Sequence, residues 1–224
     1  MMGLCGVILA AGESTRMGRD KALLPWPPNN AKVSQLEQKQ ILTFQPVSAP
    51  FSGTLLSTGI AAFSPLCDLV IVVVGRNESR LRPIIDSSGA FLIRNSNPEL
   101  GQFSSVQVGL REVLNRGRDT AMIALVDRPA PLPGTLAKLI SAFEGRDRNT
   151  WAVIPAFEAK HGHPILVSRE MIEIFLRAAG TANARDIEHE YESRIAYVPV
   201  DDARVTLNLN TPEDYANISQ QEKA

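Results

Sequence analysis

Two arginines and a lysine lie in a glycine-punctuated stretch near the start of the chain. Arg16, Arg19 and Lys21 carry the positive charges, and Gly12 and Gly18 divide the stretch. Glycine lets a backbone approach a ligand closely and adopt a positive φ where a turn needs it. Successive backbone N–H groups can then point at anionic oxygens, while guanidinium and ammonium groups add charge-assisted hydrogen bonds to phosphate. This combination predicts a loop that holds the triphosphate of a nucleotide.

The motif differs from two well-known nucleotide-binding loops. It lacks the closing Gly-Lys-Ser/Thr of a Walker loop and the G-x-G-x-x-G spacing of a Rossmann fingerprint. Residues 9–21 read Leu-Ala-Ala-Gly-Glu-Ser-Thr-Arg-Met-Gly-Arg-Asp-Lys. This pattern resembles the signature of the MobA-like nucleotidyltransferases. The most similar branch is the molybdenum cofactor cytidylyltransferases, with sugar-phosphate nucleotidyltransferases as more distant relatives.

The resemblance extends from Leu4 to Tyr215, apart from an insertion, and it implies a nucleotide site. It implies that Arg16 and Lys21 hold the triphosphate and stabilise the leaving pyrophosphate. The residues expected to bind the nucleotide are Leu9, Ala10, Ala11, Gly12, Glu13, Gly75, Asn95, Ser104 and Ser105.

A carboxylate follows the buried-type strand at 122–126. An Asp at the end of such a strand is costly unless a metal or a cation pairs with it. Asp127-Arg128-Pro129 resembles the family's Asp-x-Pro, whose carboxylate binds magnesium, so the resemblance implies Mg2+ on Asp127. A helix N-cap or an ordinary loop position is the alternative role for this residue.

A second candidate metal ligand lies in the run 208–214, Asn-Leu-Asn-Thr-Pro-Glu-Asp. The run resembles a family motif with Asp or Asn at its first and third positions, here Asn208 and Asn210, and this implies that Asn210 completes the metal shell. An amide oxygen is a weaker ligand for a hard cation than a carboxylate, so metal affinity is expected to depend more on the triphosphate. Thr211 followed by Pro212 is typical of a helix start.

Residues 95–106 resemble a cytidylyltransferase loop that lies against the base and the ribose. Ser104 and Ser105 offer hydroxyl and N–H groups at a helix start, and ordinary N-capping is their alternative role. Gln102 and Phe103 replace the usual Met-Ser of that loop. Contacts with the base are therefore expected to differ from those of the family.

The dipeptide His163-Pro164 follows a glycine and resembles a family motif that faces the second substrate. The resemblance therefore places both residues at the acceptor. A phosphate nucleophile is already ionised and needs no proton removed, so His163 is expected to have a structural or substrate-contacting role rather than that of a general base. Lys160 and His161 stand where the family usually has arginine.

Composition restricts the class of protein. The 224 residues are 44% hydrophobic and 21% charged, with a net charge of −1, which is typical of one soluble α/β domain. A nearly neutral chain disfavours an extended nucleic-acid or anionic-membrane surface. Two cysteines disfavour a disulfide framework or a zinc site. We expect a cytoplasmic monomer or small homo-oligomer, because neither a signal peptide nor a membrane-spanning run is evident.

Apolar runs alternate with helical patterns along the chain. Continuous apolar strands are typical of a parallel sheet covered on both faces. The rhythm predicts the α/β class with a doubly wound, mostly parallel open sheet in a three-layer α/β/α, Rossmann-like arrangement. The predicted strands are 4–10, 70–74, 91–93, 122–126, 151–155, 163–167 and 195–200, and the predicted helices are 55–63, 79–85, 105–114, 134–143, 169–178 and 212–218.

The candidate residues converge in this arrangement. Ligands of such sheets bind at the carboxyl ends of the strands. Gly12, Gly75, Asn95 and Asp127 all follow predicted strands, so all four are expected at that edge.

The segment 27–52 interrupts the strand–helix order. It is rich in Pro, Gln, Asn and Ser and has no clear period. The next helix resumes at Gly53, so this segment is expected to be an insertion in a single domain of residues 1–224. A short helix near 35–43, a lid or a tolerated surface loop are the alternatives for it.

The sequence therefore predicts a magnesium-dependent nucleotidyltransferase. The expected reaction moves a nucleoside monophosphate from an NTP to a phosphate-bearing acceptor. The resemblance favours CTP and molybdopterin, and Ala11 supports CTP weakly because guanine-selective relatives often carry glycine there. One alternative is a sugar-1-phosphate or other small-phosphate nucleotidyltransferase. The other is a non-catalytic nucleotide-binding accessory protein.

Overall fold

The computed structural model describes residues 3–14, 17–27 and 53–221. Arg16, nearly all of the predicted insertion and the helix expected at 35–43 lie outside the described residues. Predictions made for them stay predictions.

Ten strands are present among the described residues, and they form two sheets. The larger sheet has the order β10-β7-β9-β6-β1-β4-β5, with β8 paired to β7, while β2 and β3 form the smaller sheet. The strands are β1 (Leu4–Ala10), β2 (Pro25–Trp26), β3 (Gly53–Thr54), β4 (Leu69–Val74), β5 (Phe91–Arg94), β6 (Thr120–Leu125), β7 (Ala152–Phe157), β8 (Lys160–His161), β9 (Ile165–Val167) and β10 (Ile195–Pro199).

The central strand β1 runs parallel to both of its neighbours, β4 and β6. The pairs β4·β5 and β7·β10 are also parallel, whereas β9 is antiparallel to β6 and β7. The predicted mostly parallel open sheet is confirmed. The strand predicted at 163–167 begins only at Ile165. The N–H group of His163 donates to the carbonyl of Val205 at 2.8 Å, outside the sheet, so His163 does not take part in the strand.

Seven α-helices accompany the sheet in the described part of the chain. None of them is long and apolar enough to cross a membrane. Each of the six predicted helices is present, although α3 begins three residues earlier than predicted. The helices are α1 (Leu55–Phe63), α2 (Glu78–Ser87), α3 (Gln102–Asn115), α4 (Pro133–Glu144), α5 (Arg169–Arg177), α6 (Ala184–Glu190) and α7 (Pro212–Gln221).

Two apolar cores lie on opposite faces of the sheet. Side chains alternate along β1, so Val7 and Leu9 join one core and Ile8 and Ala10 join the other. Helices α3 and α5 cover the first core, and α1, α2 and α4 cover the second. This confirms the three-layer architecture and explains why the strands are apolar without alternation.

The smaller sheet joins the two ends of the segment that lies outside the described residues. Trp26 pairs with Gly53, and Pro25 pairs with Thr54. Thr54 then starts α1 with a capping box, because its hydroxyl accepts from the N–H of Ser57 at 3.1 Å and the Ser57 hydroxyl accepts from the N–H of Thr54 at 2.8 Å. The chain therefore leaves the domain and re-enters it at neighbouring points, as an insertion requires.

Two mid-helix glycines that face β1 allow a matched test of packing. A Cβ on Gly109 of α3 would lie 2.6 Å from Cγ1 of Val7 and 3.1 Å from Cγ2 of Val73. We expect Gly109→Ala to lower the free energy of unfolding by about 1–3 kcal/mol, because overpacking outweighs the better helix propensity of alanine. Urea denaturation measures the effect.

In the control, Gly59→Ala, the new Cβ would lie 3.6 Å from Cδ1 of Ile8, an ordinary contact. Stability should then rise by up to about 1 kcal/mol, and equal losses in both variants would contradict the close packing of α3.

Candidate active site

The carboxyl ends of three adjacent strands form one edge of the sheet. Ala10 of β1 is in register with Val74 of β4. Leu9 of β1 is in register with Leu125 of β6. The signature loop, the turn after β4 and the segment with Asp127 therefore begin side by side, as the sequence predicted.

Lys21 contacts both predicted metal ligands at this edge. Its Nζ donates to Oδ2 of Asp127 at 3.2 Å and to Oδ1 of Asn210 at 2.9 Å. The side chains of Lys21 and Asp127 are only 14% and 23% exposed, so water screens this ion pair less than it screens a surface pair. The backbone supports the contact, because the N–H of Leu209 donates to the carbonyl of Asp127 at 3.0 Å. Three distant parts of the sequence thus meet at one point.

The turn before Lys21 sets the position of its side chain. The Ser14 hydroxyl accepts from the N–H of Lys21 at 3.1 Å, and Ser14 itself has a φ of 51°. Asp20 caps the short 3-10 turn that begins at Lys21, because its carboxylate accepts from the N–H of Ala22 at 3.1 Å. Gly18 has a φ of 64°, the left-handed conformation that glycine adopts without steric cost.

The start of α7 holds Asn210. The Asp214 carboxylate accepts from the N–H groups of Asn210 and Thr211, both at 2.9 Å. These backbone donors, Thr211 first, lower the pKa of Asp214 and keep the capping group charged. The predicted N-cap is confirmed, since the Thr211 hydroxyl accepts from the N–H of Asp214 at 3.2 Å. An apolar cluster attaches this segment to the chain near the signature loop: Met17, Leu24, Trp26, Leu55 and Leu209.

Asn77 connects the signature loop to the end of β4, and the sequence analysis missed it. Its amide nitrogen donates to the carbonyl of Ala10 at 2.9 Å and to Oδ2 of Asp20 at 2.8 Å. Its amide oxygen accepts from the N–H of Gly75 at 3.0 Å. A Cβ on Gly75 would lie 2.6 Å from the carbonyl oxygen of Ala11, so only glycine permits this approach. The sequence does contain a signal for this role, because Asn77 stands two residues after Gly75, the glycine that follows a predicted strand.

A cavity of about 490 Å³ lies against the signature loop. A Cβ on Gly12 would meet no atom of the described residues within 4 Å, so packing against this part of the chain does not explain the glycine. The exposed Arg76 forms an ion pair with Glu13 at 2.9 Å along the same wall. The predicted nucleotide-binding residues and the cations that line this cavity are Ala11, Gly12, Glu13, Arg19, Arg76 and Arg80.

Leu9 and Ala10 lie inside β1 and have buried side chains. The carbonyl of Leu9 accepts from the N–H of Val126 at 3.0 Å, and the carbonyl of Ala10 accepts from Asn77. Their structural role is to attach neighbouring loops to the strand end. Nucleotide contacts of these two residues stay a prediction.

Asn95, Ser104 and Ser105 form a buried network. The Asn95 amide donates to the Ser104 hydroxyl at 2.8 Å and to the Ser105 hydroxyl at 2.9 Å. Its oxygen accepts from the N–H of Asn97 at 3.0 Å. The alternative of N-capping by the serines is wrong, because the N-cap of α3 is Gly101 at a φ of 103°. The network holds the loop in place, and contact of these three residues with base or ribose stays a prediction.

A larger cavity, of about 770 Å³, is bounded by β6, β7, β9 and α6. His163, predicted to face the acceptor, lines it. Pro164 is buried and lines a small apolar pocket with Ile8 and Phe63 instead, so its acceptor contact stays a prediction. The charged and titratable side chains that line the larger cavity are Arg128, Lys160, His161, His163, Arg185, Glu188, His189, Glu192 and Tyr197.

Lys21, Asp127 and Asn210 line neither of the two cavities themselves, but their neighbours in sequence do. Arg19, two residues before Lys21, lines the smaller cavity. Arg128, which follows Asp127, and Asn208, close to Asn210, line the larger one. The contact of Lys21 with Asp127 and Asn210 is therefore flanked in sequence by residues of both cavities.

His163 is held in its neutral form. Burial and the charge of Arg128 lower its pKa to about 3, Arg185 acts in the same direction, and the carbonyl of Ile123, 3.4 Å from Nδ1, opposes them. The ring therefore carries no charge at neutral pH. This agrees with the expectation that His163 is not a general base, since such a group works best with a pKa near the operating pH.

The residues at the sheet edge fit a hard divalent cation. Oδ1 of Asp127 is buried and has no hydrogen-bond partner among the described residues. Asn210 adds an amide oxygen, and oxygen donors are the ligands that Mg2+ takes. The described part of the chain has no group of three or more His, Cys, Asp or Glu residues that could hold a metal. The remaining ligands would have to be triphosphate oxygens and water, which is usual for Mg2+.

Comparison with known sequences identifies related proteins. The profile of the MobA-like NTP transferase domain matches residues 6–195. The molybdenum cofactor cytidylyltransferase of Escherichia coli (strain K12) is 26% identical over 212 residues, which cover 93% of this chain and 92% of the relative. A molybdenum cofactor guanylyltransferase of Cereibacter sphaeroides is 30% identical over 222 residues, which cover 96% of this chain and 95% of the relative.

Comparison with solved structures agrees at the level of the fold. Rv0371c from Mycobacterium tuberculosis H37Rv superposes with a TM-score of 0.74 at 23% identity, over 98% of each chain. Its complex with manganese has a TM-score of 0.68 at 21% identity, over 97% of this chain and 98% of that one.

The depressed pKa of His163 predicts a pH effect on stability. The pKa falls from an ordinary 6.5 to about 3 on folding, so the unfolded chain takes up a proton first as the pH falls. Stability that is complete above pH 6.5 is then lost progressively towards pH 3. We expect His163→Gln, which cannot titrate, to show a shallower fall in the free energy of unfolding across this range. Urea denaturation at successive pH values measures it.

The exposed His189, whose side chain is 87% exposed, provides the matched control. His189→Gln should keep the pH dependence of the unmodified protein. A His163→Gln profile that coincides with the His189→Gln profile would show that His163 is not buried in its neutral form.

Proposed function

The chain belongs to the MobA-like NTP transferase family, and on that premise we propose that it transfers a nucleoside monophosphate from an NTP to a phosphate-bearing acceptor and releases pyrophosphate. The observation that carries the proposal is the contact of Lys21 with Asp127 and Asn210, whose neighbours in sequence line the two cavities. A cation that can move onto a polyphosphate stands beside two oxygens that suit a divalent cation.

In this proposal the NTP occupies the smaller cavity, with its triphosphate against the signature loop. Lys21 moves from Asp127 onto the phosphate oxygens, where its ammonium group neutralises charge on the departing pyrophosphate. Arg16, in the same loop, is assigned the same task on the basis of the family signature. The turn around Ser14 and Gly18 keeps the base of Lys21 fixed while its side chain moves.

Asp127 and Asn210 would hold Mg2+ once Lys21 has moved onto the triphosphate. The unpartnered Oδ1 of Asp127 supports this assignment. When bound, the ion supplies charge neutralisation at the α-phosphate and orients it for displacement. Because Mg2+ would replace Lys21 beside Asp127, the carboxylate would keep a positive partner and would not be left unpaired.

The reaction itself needs little proton transfer. A phosphate oxygen of the acceptor forms a bond to the α-phosphorus, and the bond from the α-phosphorus to the bridging oxygen of the β-phosphate breaks. The electron pair leaves with pyrophosphate, in line with the attacking oxygen. Catalysis then consists of positioning and charge stabilisation, and a neutral His163 is compatible with it.

We favour CTP and molybdopterin as substrates. Relatives of similar identity are named cytidylyltransferase and guanylyltransferase, and both are molybdenum cofactor enzymes. Ala11 lines the smaller cavity where guanine-selective members often have glycine. The methyl group of Ala11 leaves less room for a purine, which is the reason for preferring CTP.

Pyrophosphate release tests the proposal. The protein is assayed with Mg2+, each of CTP, GTP, ATP and UTP, and either molybdopterin or glucose 1-phosphate as the acceptor. We expect release with CTP and molybdopterin. Release with the sugar phosphate alone would refute the acceptor assignment. Nucleotide binding without release in every combination would refute catalysis and favour an accessory nucleotide-binding protein.

Removal of the bridging ammonium group should disable turnover. We expect Lys21→Ala to lower kcat by about 10²–10³-fold, the usual effect of losing one preorganised charge stabiliser. Circular dichroism checks that the variant is folded. Lys138, which donates to the carbonyl of Pro199 and lines neither cavity, supplies the control Lys138→Ala with unchanged kcat. Normal activity of Lys21→Ala would exclude the proposed role.

A carboxylate at position 210 should strengthen metal binding. We expect Asn210→Asp to lower the Mg2+ concentration for half-maximal pyrophosphate release by about fivefold, because ligand charge raises affinity for a hard cation. Asn208→Asp adds the same charge two residues away, on the wall of the larger cavity, and should leave the Mg2+ dependence unchanged. Identical titrations for the two variants would contradict a metal role of position 210.

A further inference from the structure

Arg128 is a cation in the wall of the larger cavity. Its Nη1 donates to the carbonyl of Val205 at 2.8 Å, which fixes the guanidinium in the wall of the larger cavity. Its Nε is buried and has no hydrogen-bond partner in the described part of the chain. The side chain forms no ion pair with any described carboxylate, although it lies within the field of Asp127, its neighbour in sequence.

Arg185 is a second cation of this kind in the same wall. It lies on α6 and lines the cavity, and its guanidinium has no hydrogen bond or ion pair with a described residue. Burial lowers the pKa of His163, and Arg128 and Arg185 both lower it further. The fields of the two guanidinium groups therefore converge on the His163 ring.

Carboxylates of the cavity wall do not neutralise both arginines. Burial raises the pKa of Glu188 and Arg185 lowers it, so Glu188 lies within the field of Arg185. Glu192, the other lining carboxylate, approaches His189 at 4.0 Å instead. Arg128 has neither of them as an ion-pair partner.

A pair of like charges in a partly buried wall is unfavourable unless an anion compensates it. Arginine is well suited to that anion, because its planar donors match the oxygens of a phosphate or a carboxylate in pairs. Nη1 of Arg128 donates to Val205, whereas its other terminal nitrogen has no hydrogen-bond partner among the described residues.

We propose that Arg128 and Arg185 form an anion-binding subsite that holds the phosphate of the acceptor. The inference rests on the proposed function and identifies where the second substrate is held. Arg128 directly follows Asp127 and lines the larger cavity, so a phosphate bound by its guanidinium would lie near the end of β6, close to the proposed triphosphate site. The pair holds the acceptor phosphate with one oxygen towards the NTP, and Arg128 is thus a positioning and specificity-determining residue.

Steady-state kinetics test this role. We expect Arg128→Gln to raise KM for molybdopterin by about 10- to 100-fold, the usual loss for a hydrogen bond to a charged group, while KM for CTP stays unchanged. Arg128→Lys should recover part of the loss, because the charge returns without the planar donors. Arg148→Gln, an exposed arginine outside both cavities, is the control. An unchanged KM for molybdopterin in Arg128→Gln would overturn the inference.

Binding of inorganic phosphate provides a test that needs no turnover. Titration calorimetry is done on Lys21→Ala, which lacks the lysine of the proposed triphosphate site, and on Lys21→Ala combined with Arg128→Gln or Arg185→Gln. We expect each added substitution to weaken phosphate binding by about tenfold or more. Circular dichroism checks folding, and Arg185→Gln decides the result where Arg128→Gln misfolds. Equal phosphate affinity in all variants would overturn the subsite.

The two proposals fail in different ways. Loss of phosphate binding in the arginine variants, with no pyrophosphate release from any NTP, refutes the transferase function and supports the subsite. Pyrophosphate release together with an unchanged KM and phosphate affinity in Arg128→Gln supports the function and refutes the subsite.

Discussion

A carboxylate at the end of a buried strand must meet a positive charge, and this requirement organises the candidate site. Asp127 follows β6 where the sheet leaves little water, and Lys21 supplies the charge at 3.2 Å. The turn around Ser14 and Gly18 fixes the backbone of Lys21, and the C-terminal segment places Asn210 beside its ammonium group. Three elements far apart in sequence meet at this one contact, and residues next to it in sequence line the two cavities.

The arrangement separates two electrostatic environments. The ion pair of Lys21 and Asp127 is close to neutral before ligands bind, so neither group is left uncompensated. The wall with Arg128 and Arg185 keeps a surplus of positive charge and holds His163 uncharged. A protein with a net charge of −1 thereby concentrates positive potential locally, where phosphates would be handled, and does not need a basic surface.

The mostly parallel sheet and the position of Asp127 at its edge could be predicted from the sequence, because both depend on local patterns. Continuous apolar strands indicate a parallel sheet, and a carboxylate directly after such a strand needs a metal or a cation as its partner. The parts that could not be predicted are contacts between elements. The bonds of Asn77 across the strand ends, the burial of Asn95 beneath α3 and the antiparallel entry of β9 all depend on tertiary packing, which no local pattern encodes. In the sequence Arg128 occupies the variable position of a motif, and the cavity that it lines is formed by elements distant in sequence.

The pairing of Trp26 with Gly53 has a consequence for how this domain tolerates change in length. The two paired residues of β2 and β3 hold the ends of the intervening segment together. The length of that segment therefore has little effect on the rest of the domain. Closing a longer excursion costs little, about 0.6 kcal/mol for each doubling of its length. Related chains could therefore gain or lose residues between Trp26 and Gly53 while the candidate site at the sheet edge keeps its geometry. This position is suited to insertions, whether they arise in evolution or by engineering.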